Sequence, residues 1–250
     1  MKHYAMTGGA TGIGAATKAK LLANGHKVTV VDIKDADIIA DLGNPESRAD
    51  ALAALQAAGP FDGVITCAGV ASHFPETAAI ISINYYGTVE LLNGLKDHLN
   101  PGARVVAISS NSAPMCTNEE LVSAMLNGSE SEARALASNC EGQECYAGSK
   151  QAVARWVKHI APEWARSGVG INAIAPGYIE TPMTKAVAES PAYADAIKQF
   201  LASIPMQRAG QPEEIANLID FLLSDSASFI GGSLIYCDGA HDAMLRPDAY

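Results

Sequence analysis

The sequence predicts an α/β fold, a doubly wound parallel sheet in a single domain, and three observations lead to it. Short β-rich runs recur along the 250 residues, several of them apolar without alternation, as strands covered on both faces should be. Longer helix-patterned stretches separate these runs, the rhythm of a parallel sheet whose crossovers are helices. No linker, internal repeat or low-complexity segment divides the chain. A sheet of this kind at this length is commonly one domain and buries enough apolar surface to stand without staples.

In chain order, residues 3–6 are the first strand candidate, and a glycine-rich turn leads into a helix over 13–23 that Gly25 stops. Strands are expected at 27–31 and 37–40, then a helix at 45–58 and a strand at 63–67. One long helix is expected over 77–99, followed by a strand at 104–108. A helix over 147–166 precedes a strand at 169–175. Helices at 192–202 and 212–223 and a strand at 233–237 complete the series, with Gln211-Pro212-Glu213-Glu214 as a helix start. The rhythm breaks once, between 114 and 145, where no strand appears and six acidic side chains accompany one base, Arg134. A structureless loop of that length would be unusual in a compact domain, so a helical insertion is expected, with helices near 119–126 and 130–137 broken at Asn127-Gly128.

Composition narrows the function. Hydrophobic residues make up 48% of the chain and charged residues 18%, which argues against disorder. A formal net charge of −10 gives a surface that repels phosphate backbones and anionic lipid, so neither nucleic-acid nor membrane partners are expected. The opening MKHYAMTGG has no basic stretch leading into an apolar core, and no run approaches the roughly 18 apolar residues of a membrane span. Five cysteines is an odd count without CxxC spacing, and the six histidines show no HExxH or comparable pattern. Reduced thiols, a cytoplasmic location and no bound metal are therefore expected.

Two motifs carry chemistry. Thr7-Gly8-Gly9-Ala10-Thr11-Gly12-Ile13-Gly14 lies directly after a strand and directly before a helix. Glycines let backbone approach a pyrophosphate, whose charge the free N–H groups of a helix start can bind. Asp32 ends the next strand, 18 residues after Gly14, where an acid can accept hydrogen bonds from both hydroxyls of an adenosine ribose. The second motif is Tyr146-Ala147-Gly148-Ser149-Lys150, which opens the long helix before the sixth strand. Residues four apart share a helix face, so the hydroxyl and the ammonium can address one site. A nearby cation favours the phenolate, a usable base near neutral pH.

With TGxxxGxG near its start and YxxxK at this distance, the chain resembles the short-chain dehydrogenase/reductase family over essentially its whole length. The resemblance implies a Rossmann-type oxidoreductase that uses NAD. It implies that Tyr146 is the catalytic base and that Lys150 favours its phenolate and binds the nicotinamide ribose. Ser110, the second serine closing Val105-Val106-Ala107-Ile108-Ser109-Ser110, would hold the reacting oxygen, with Ser109 as its structural neighbour. Ile83-Asn84-Tyr85-Tyr86-Gly87 resembles the segment carrying the family's asparagine, so Asn84 is expected to hold a water in the proton path. Gly8, Thr11, Gly12, Ile13, Gly14 and Asp32 would bind the dinucleotide, with Asp41 and Leu42 beside adenine. The segment Ala175-Pro176-Gly177-Tyr178-Ile179-Glu180-Thr181-Pro182 looks like the one that closes over nicotinamide. It adds Pro176 and Gly177, and Ile179 and Thr181 against the carboxamide.

Two departures from the family pattern stand out. Cys67-Ala68-Gly69, expected to line the cofactor site, stands where the family usually has Asn-Ala-Gly after the fourth strand. Ser110 and Tyr146 lie 36 positions apart, against about a dozen in most members, and the surplus is the insertion. These features, with Asp-Ile-Lys-Asp-Ala-Asp and a Leu-Arg-Pro ending, look like the bacterial 3α-hydroxysteroid dehydrogenase/carbonyl reductase branch. That likeness implies a small-molecule apolar secondary alcohol or ketone, a hydroxysteroid first. An aromatic alcohol of the coniferyl type, or dinucleotide sensing without turnover, stays open. The insertion is expected to wall the substrate pocket on one side and residues 178–190 on the other. Met115, Tyr178 and Met183 then either touch substrate or pack in the core, whereas Trp156 and Trp164 are expected to pack. The family commonly forms tetramers through the counterparts of helices 77–99 and 147–166. An insertion attached at the second implies a homodimer, in which the apolar 229–237 segment either adds a contact or serves only as a core strand.

Overall fold

The computed structural model describes residues 1–182, 184, 185 and 194–249, with 194–196 described by backbone alone. All seven expected strands form: β1 (His3–Thr7), β2 (Lys27–Asp32), β3 (Ile38–Ile39), β4 (Phe61–Thr66), β5 (Leu99–Ile108), β6 (Gly170–Pro176) and β7 (Leu234–Cys237). They make one parallel sheet in the order β3-β2-β1-β4-β5-β6-β7. The helices are α1 (Gly12–Ala23), α2 (Pro45–Ala58), α3 (Thr77–Ile81), α4 (Gly87–Leu95), α5 (Glu119–Asn127), α6 (Glu130–Ala137), α7 (Gly142–Arg166), α8 (Ala194–Ser203), α9 (Pro212–Leu223) and α10 (His241–Leu245). Residue 192, where the eighth of these is expected to begin, lies outside the described residues.

The apolar runs of the strands divide between two cores with a period of two. Ala5, Val31, Val64, Val105 and Ala107 face α2, α4 and α7, where Leu55, Leu92 and Val153 are buried against them. Met6, Val30, Ile65, Val106 and Ile108 face α1 and α9, meeting Leu21, Ile215 and Ile219. A strand clad on both sides has no polar face to show, and that is why alternation is absent from its sequence. Strand order reverses between β1 and β4, and the carboxyl ends of the two diverging halves open a crevice there.

Two segments differ from expectation. The single helix over 77–99 is instead α3, a π-helical segment Ser82–Tyr86, α4 and a 3-10 turn Lys96–His98. The widened turn carries Asn84, whose side chain is bound to the backbone of Val70, so a tertiary contact overrides the local helical period. β5 begins at Leu99, which pairs with Phe61 before the register shifts and Arg104 meets Gly63.

The insertion folds as two helices that break at Gly128, and Ser129 and Glu132 close a capping box at the start of α6. Leu121, Val122 and Met125 of α5 are buried toward α7, and Ala133 and Ala137 of α6 are buried beside α3. Trp156 and Trp164 pack edge to face at 6.1 Å between ring centres, inside the core and away from solvent. Among the described residues no helix is long and apolar enough to cross a membrane.

Candidate active site

A cleft of about 1070 Å³ runs across the carboxyl ends of the central strands. Its floor is the turn between β1 and α1. Gly8 has φ +76°, and a Cβ there would lie 2.4 Å from the Ala68 nitrogen; a Cβ on Gly14 would lie 1.6 Å from the Gly8 carbonyl oxygen. Only glycine fits either place, so the backbone folds into a cradle with no side chain in it. Thr11, Gly12, Ile13 and Gly14 turn the N-terminus of α1 toward the same space. The N–H groups of a helix's first turn, with this clearance beside them, suit a pyrophosphate.

Beside the cradle, the Asp32 carboxylate is fixed by two backbone donors, Ala10 N–H at 2.9 Å and Ile33 N–H at 2.7 Å. Farther along, Asp41 accepts from Gly43 N–H at 2.8 Å and its own N–H donates to Ser47 Oγ at 2.9 Å, while Leu42 is buried next to it. Cys67, Ala68 and Gly69 form the opposite wall. Cys67 N–H donates to the Thr7 carbonyl at 2.9 Å, so backbone closes this end of the sheet where the side chain is a thiol. Burial pushes that thiol up to about 12, and it is protonated at neutral pH.

At the far end of the cleft, Ser110 leaves β5 while Tyr146 and Lys150 come from adjoining turns of α7. The Ser110 and Tyr146 hydroxyls face the same end of the cleft, and Ser110 Oγ pairs with Ser112 Oγ at 2.9 Å. Lys150 is buried and its ammonium donates to the Ile108 carbonyl at 3.0 Å. Ser109 donates to the Lys150 carbonyl at 2.8 Å, which ties strand to helix. Asn84 lies behind the cleft: its Oδ1 accepts from Val70 N–H at 2.8 Å, and its amide donates to the Val70 carbonyl and to Ser149 Oγ.

The sequence pairing implies that Lys150 favours the Tyr146 phenolate. In the structure burial dominates both groups, raising the tyrosine above its ordinary value against the opposing bond from Ser110 and lowering the lysine to about 8. A poorly solvated pocket disfavours both the anion and the cation.

Pro176, Gly177, Ile179 and Thr181 line the cleft where the chain leaves β6, and Thr184 Oγ1 holds that bend by donating to the Ile179 carbonyl at 2.7 Å. Two residues expected to touch substrate or pack in the core are not among those that line this cleft. Met115 is half-exposed on a 3-10 turn (Ala113–Met115) that Gln151 clamps through the Ala113 and Cys116 carbonyls. Tyr178 turns its hydroxyl to the Thr184 carbonyl and its ring to Phe200, 5.9 Å between centres. Neither lines the cleft, and Met183 lies outside the described residues. The insertion also departs from its expected place, since α6 brings Glu130, Ser131 and Arg134 to the Leu42 end of the cleft. The sequence reading missed these three, together with Asn44, Pro45 and Ile83. Pro45 directly after Asn44, a helix start beside Asp41-Leu42, was the one local signal for them. Among the described residues no group of three His, Cys, Asp or Glu side chains could hold a metal ion.

Comparison with known proteins agrees with this geometry. Residues 2–122 match the family model described as short chain dehydrogenase, and residues 137–240 match one described as enoyl-(acyl carrier protein) reductase. The chain is 38% identical to a 3-alpha-hydroxysteroid dehydrogenase/carbonyl reductase of Comamonas testosteroni, over 100% of both chains. It is 31% identical to an acetoacetyl-CoA reductase of Synechocystis sp., over 96% of each. The crystal structure of a 3-alpha-hydroxysteroid dehydrogenase from Pseudomonas sp. B-0831 complexed with NADH superimposes with a TM-score of 0.93 at 37% identity, covering 99% of this chain and 100% of that one. With the glycine cradle, the Ser110–Tyr146–Lys150 cluster and full-length relatives in agreement, the chain belongs to the short-chain dehydrogenase/reductase family of oxidoreductases.

Proposed function

We propose that this protein is an NAD(H)-dependent oxidoreductase that interconverts an apolar secondary alcohol and its ketone, with a hydroxysteroid as the foremost substrate. The observation that carries the reading is that Ser110, Tyr146 and Lys150 line one cleft with the glycine cradle. Bound nicotinamide would supply the hydride chemistry. Gly8, Thr11, Gly12, Ile13 and Gly14 bind the pyrophosphate, Asp32 binds the adenosine ribose, and Asp41 and Leu42 flank adenine. Cys67, Ala68, Gly69, Pro176, Gly177, Ile179 and Thr181 enclose the nicotinamide half.

Ser110 holds the reacting oxygen and stabilises charge as it develops there. Tyr146 takes the hydroxyl proton in oxidation and returns it in reduction, and Lys150 balances the phenolate charge. Asn84, bonded to Val70 beside the lysine, supports the proton path from behind the cleft.

Val70, Ala71 and Phe74 share the cleft and favour a large apolar substrate, since burying apolar area contributes roughly 25 cal/mol per Å² without specific hydrogen bonds. The names of the full-length relatives support a steroid. The test is a panel of androsterone, coniferyl alcohol, cyclohexanol and a polyol at saturating NAD, followed at 340 nm. Androsterone should give the highest kcat/KM. A lead for coniferyl alcohol would replace the steroid reading, a lead for the polyol would refute the apolar pocket, and no turnover of any would leave a dinucleotide-sensing protein.

The protein is proposed to be a cytoplasmic homodimer. Its five cysteines are free thiols, a state that a reducing compartment preserves. The insertion covers parts of α3 and α7, the counterparts of the helices through which the family's tetramers assemble. Phe229, in the segment that leads into β7, stands exposed and offers a remaining apolar contact. Light scattering should give about 52 kDa, twice the chain mass of 26.0 kDa; a mass near 104 kDa, four chains, would refute the dimer.

A further inference from the structure

One wall of the cofactor cleft comes from the insertion rather than from a crossover of the sheet: Glu130, Ser131 and Arg134 of α6. Arg48 of α2 fastens α6 there. It is 1% exposed, and all five of its N–H donors are used. Nε and Nη2 donate to Glu90 of α4 at 2.8 and 3.3 Å. Nη1 donates to the Leu42 carbonyl at 3.0 Å and to Glu130 Oε1 at 3.4 Å, and Nη2 also donates to Glu130 Oε2. A single guanidinium therefore links the insertion to the Asp41–Gly43 loop, whose side of the cleft receives adenine in the reading above. From its other side Arg134 anchors α6 to Ser82 Oγ at 2.6 Å and to Glu76 at 2.8 Å.

Such an arrangement contributes little as plain stabilisation. Replacing a buried ion pair by apolar groups of the same volume is often neutral, because desolvation offsets the attraction. Its distinctive consequence is geometric, since the planar fork sets α2, α4, α6 and the Leu42 carbonyl at fixed spacing. We propose that the insertion is a cofactor-binding element in which Arg48 and Glu130 are positioning residues, holding Leu42 and the adenine end of the cleft in their binding shape. The ligand class is the adenosine diphosphate moiety of the dinucleotide, so the proposal rests on the dinucleotide reading. Without Glu130 the buried fork is half-paired and the loop occupies its binding shape for a smaller share of the time. Apparent affinity falls by that share.

The experiment compares wild type with Glu130→Gln, Glu130→Ala and Arg48→Lys. NADH affinity is read from its fluorescence, and ADP-ribose affinity by calorimetry. In all three variants both dissociation constants should rise about tenfold, as if the competent share fell to about a tenth. KM for NADH should rise by the same factor while kcat changes less than about twofold. ADP-ribose carries no nicotinamide, so its loss is read independently of the chemistry. Glu130→Gln keeps size and shape and decides the matter if Glu130→Ala or Arg48→Lys folds poorly. Unchanged ADP-ribose affinity in Glu130→Gln, or a kcat loss as large as the KM rise, overturns the proposal. Wild-type protein that binds neither NADH nor ADP-ribose overturns the dinucleotide reading along with it, whereas tight wild-type binding with unaffected variants overturns this inference alone.

Discussion

Replacing Tyr146 by Phe should lower kcat by about a thousandfold, within the 10²–10⁴ range that a positioned acid–base contributes. NADH affinity should stay within about threefold. The substitution deletes one oxygen and leaves the partly buried ring packed against the core. Ser110 keeps Ser112 as a hydrogen-bond partner, so no orphaned hydroxyl is left behind. The pH profile gives a second readout. Alcohol oxidation requires tyrosinate with lysine still charged, whereas burial holds the tyrosine above its ordinary value and the lysine near about 8. Raising the pH toward 8 removes the first proton from the pair, and the reactive form is a constant minor share of that singly deprotonated state. Oxidation should therefore climb about tenfold per pH unit below 8 and flatten above it, until the second proton leaves. Tyr146→Phe should lose the climb. A variant that kept a tenth of wild-type kcat would show that the base has been assigned to the wrong residue.

How much of this was legible in the sequence varies with the range of the interactions. The central strands were, because a strand buried on both faces must be apolar at every position, whichever helices cover it. The β1–α1 turn was as well, since the close approach of Gly14 to Gly8 lies within seven positions. The π-helical turn at Asn84 was not, because the bonds that widen it come from Val70, across the fold. Nor was the start of α7: it begins at Gly142, where a Cβ would lie 1.9 Å from the Ser72 carbonyl, and Tyr146 therefore sits inside the helix rather than at its opening. The insertion was legible as two helices but not in its destination. Its two ends suggested a wall beside Ser110 and Tyr146, but the Arg48–Glu130 contact, 82 positions apart, takes α6 to the other end of the cleft. Tyr178 shows the same limit on a smaller scale, since its hydroxyl turns to the Thr184 carbonyl.

NAD(H) should be preferred over NADP(H) by on the order of 100-fold in kcat/KM, and Asp32 is the reason. A 2′-phosphate on the adenosine ribose would sit beside this carboxylate, and like charges about 5 Å apart repel by roughly 3 kcal/mol per charge pair at an effective dielectric near 20. The carboxylate cannot easily turn away, because each oxygen is held by a backbone N–H, one from Ala10 and one from Ile33. Lys34 next to it is exposed, its charge is screened by solvent, and Asp35 and Asp37 flank it. Asp32→Ala should bring the two cofactors to within about tenfold of each other, by two effects that act in the same direction. The repulsion is removed, and the freed N–H groups of Ala10 and Ile33 become donors that a phosphate can use. NAD itself should lose affinity in this variant, since the ribose hydroxyls lose their acceptor. Kinetics with both cofactors on both proteins provide the check. Equal kcat/KM for NAD and NADP in the wild type would remove Asp32 as the selector, and an Asp32→Ala variant that still rejected NADP by 100-fold would place selection elsewhere in the β2–α2 region.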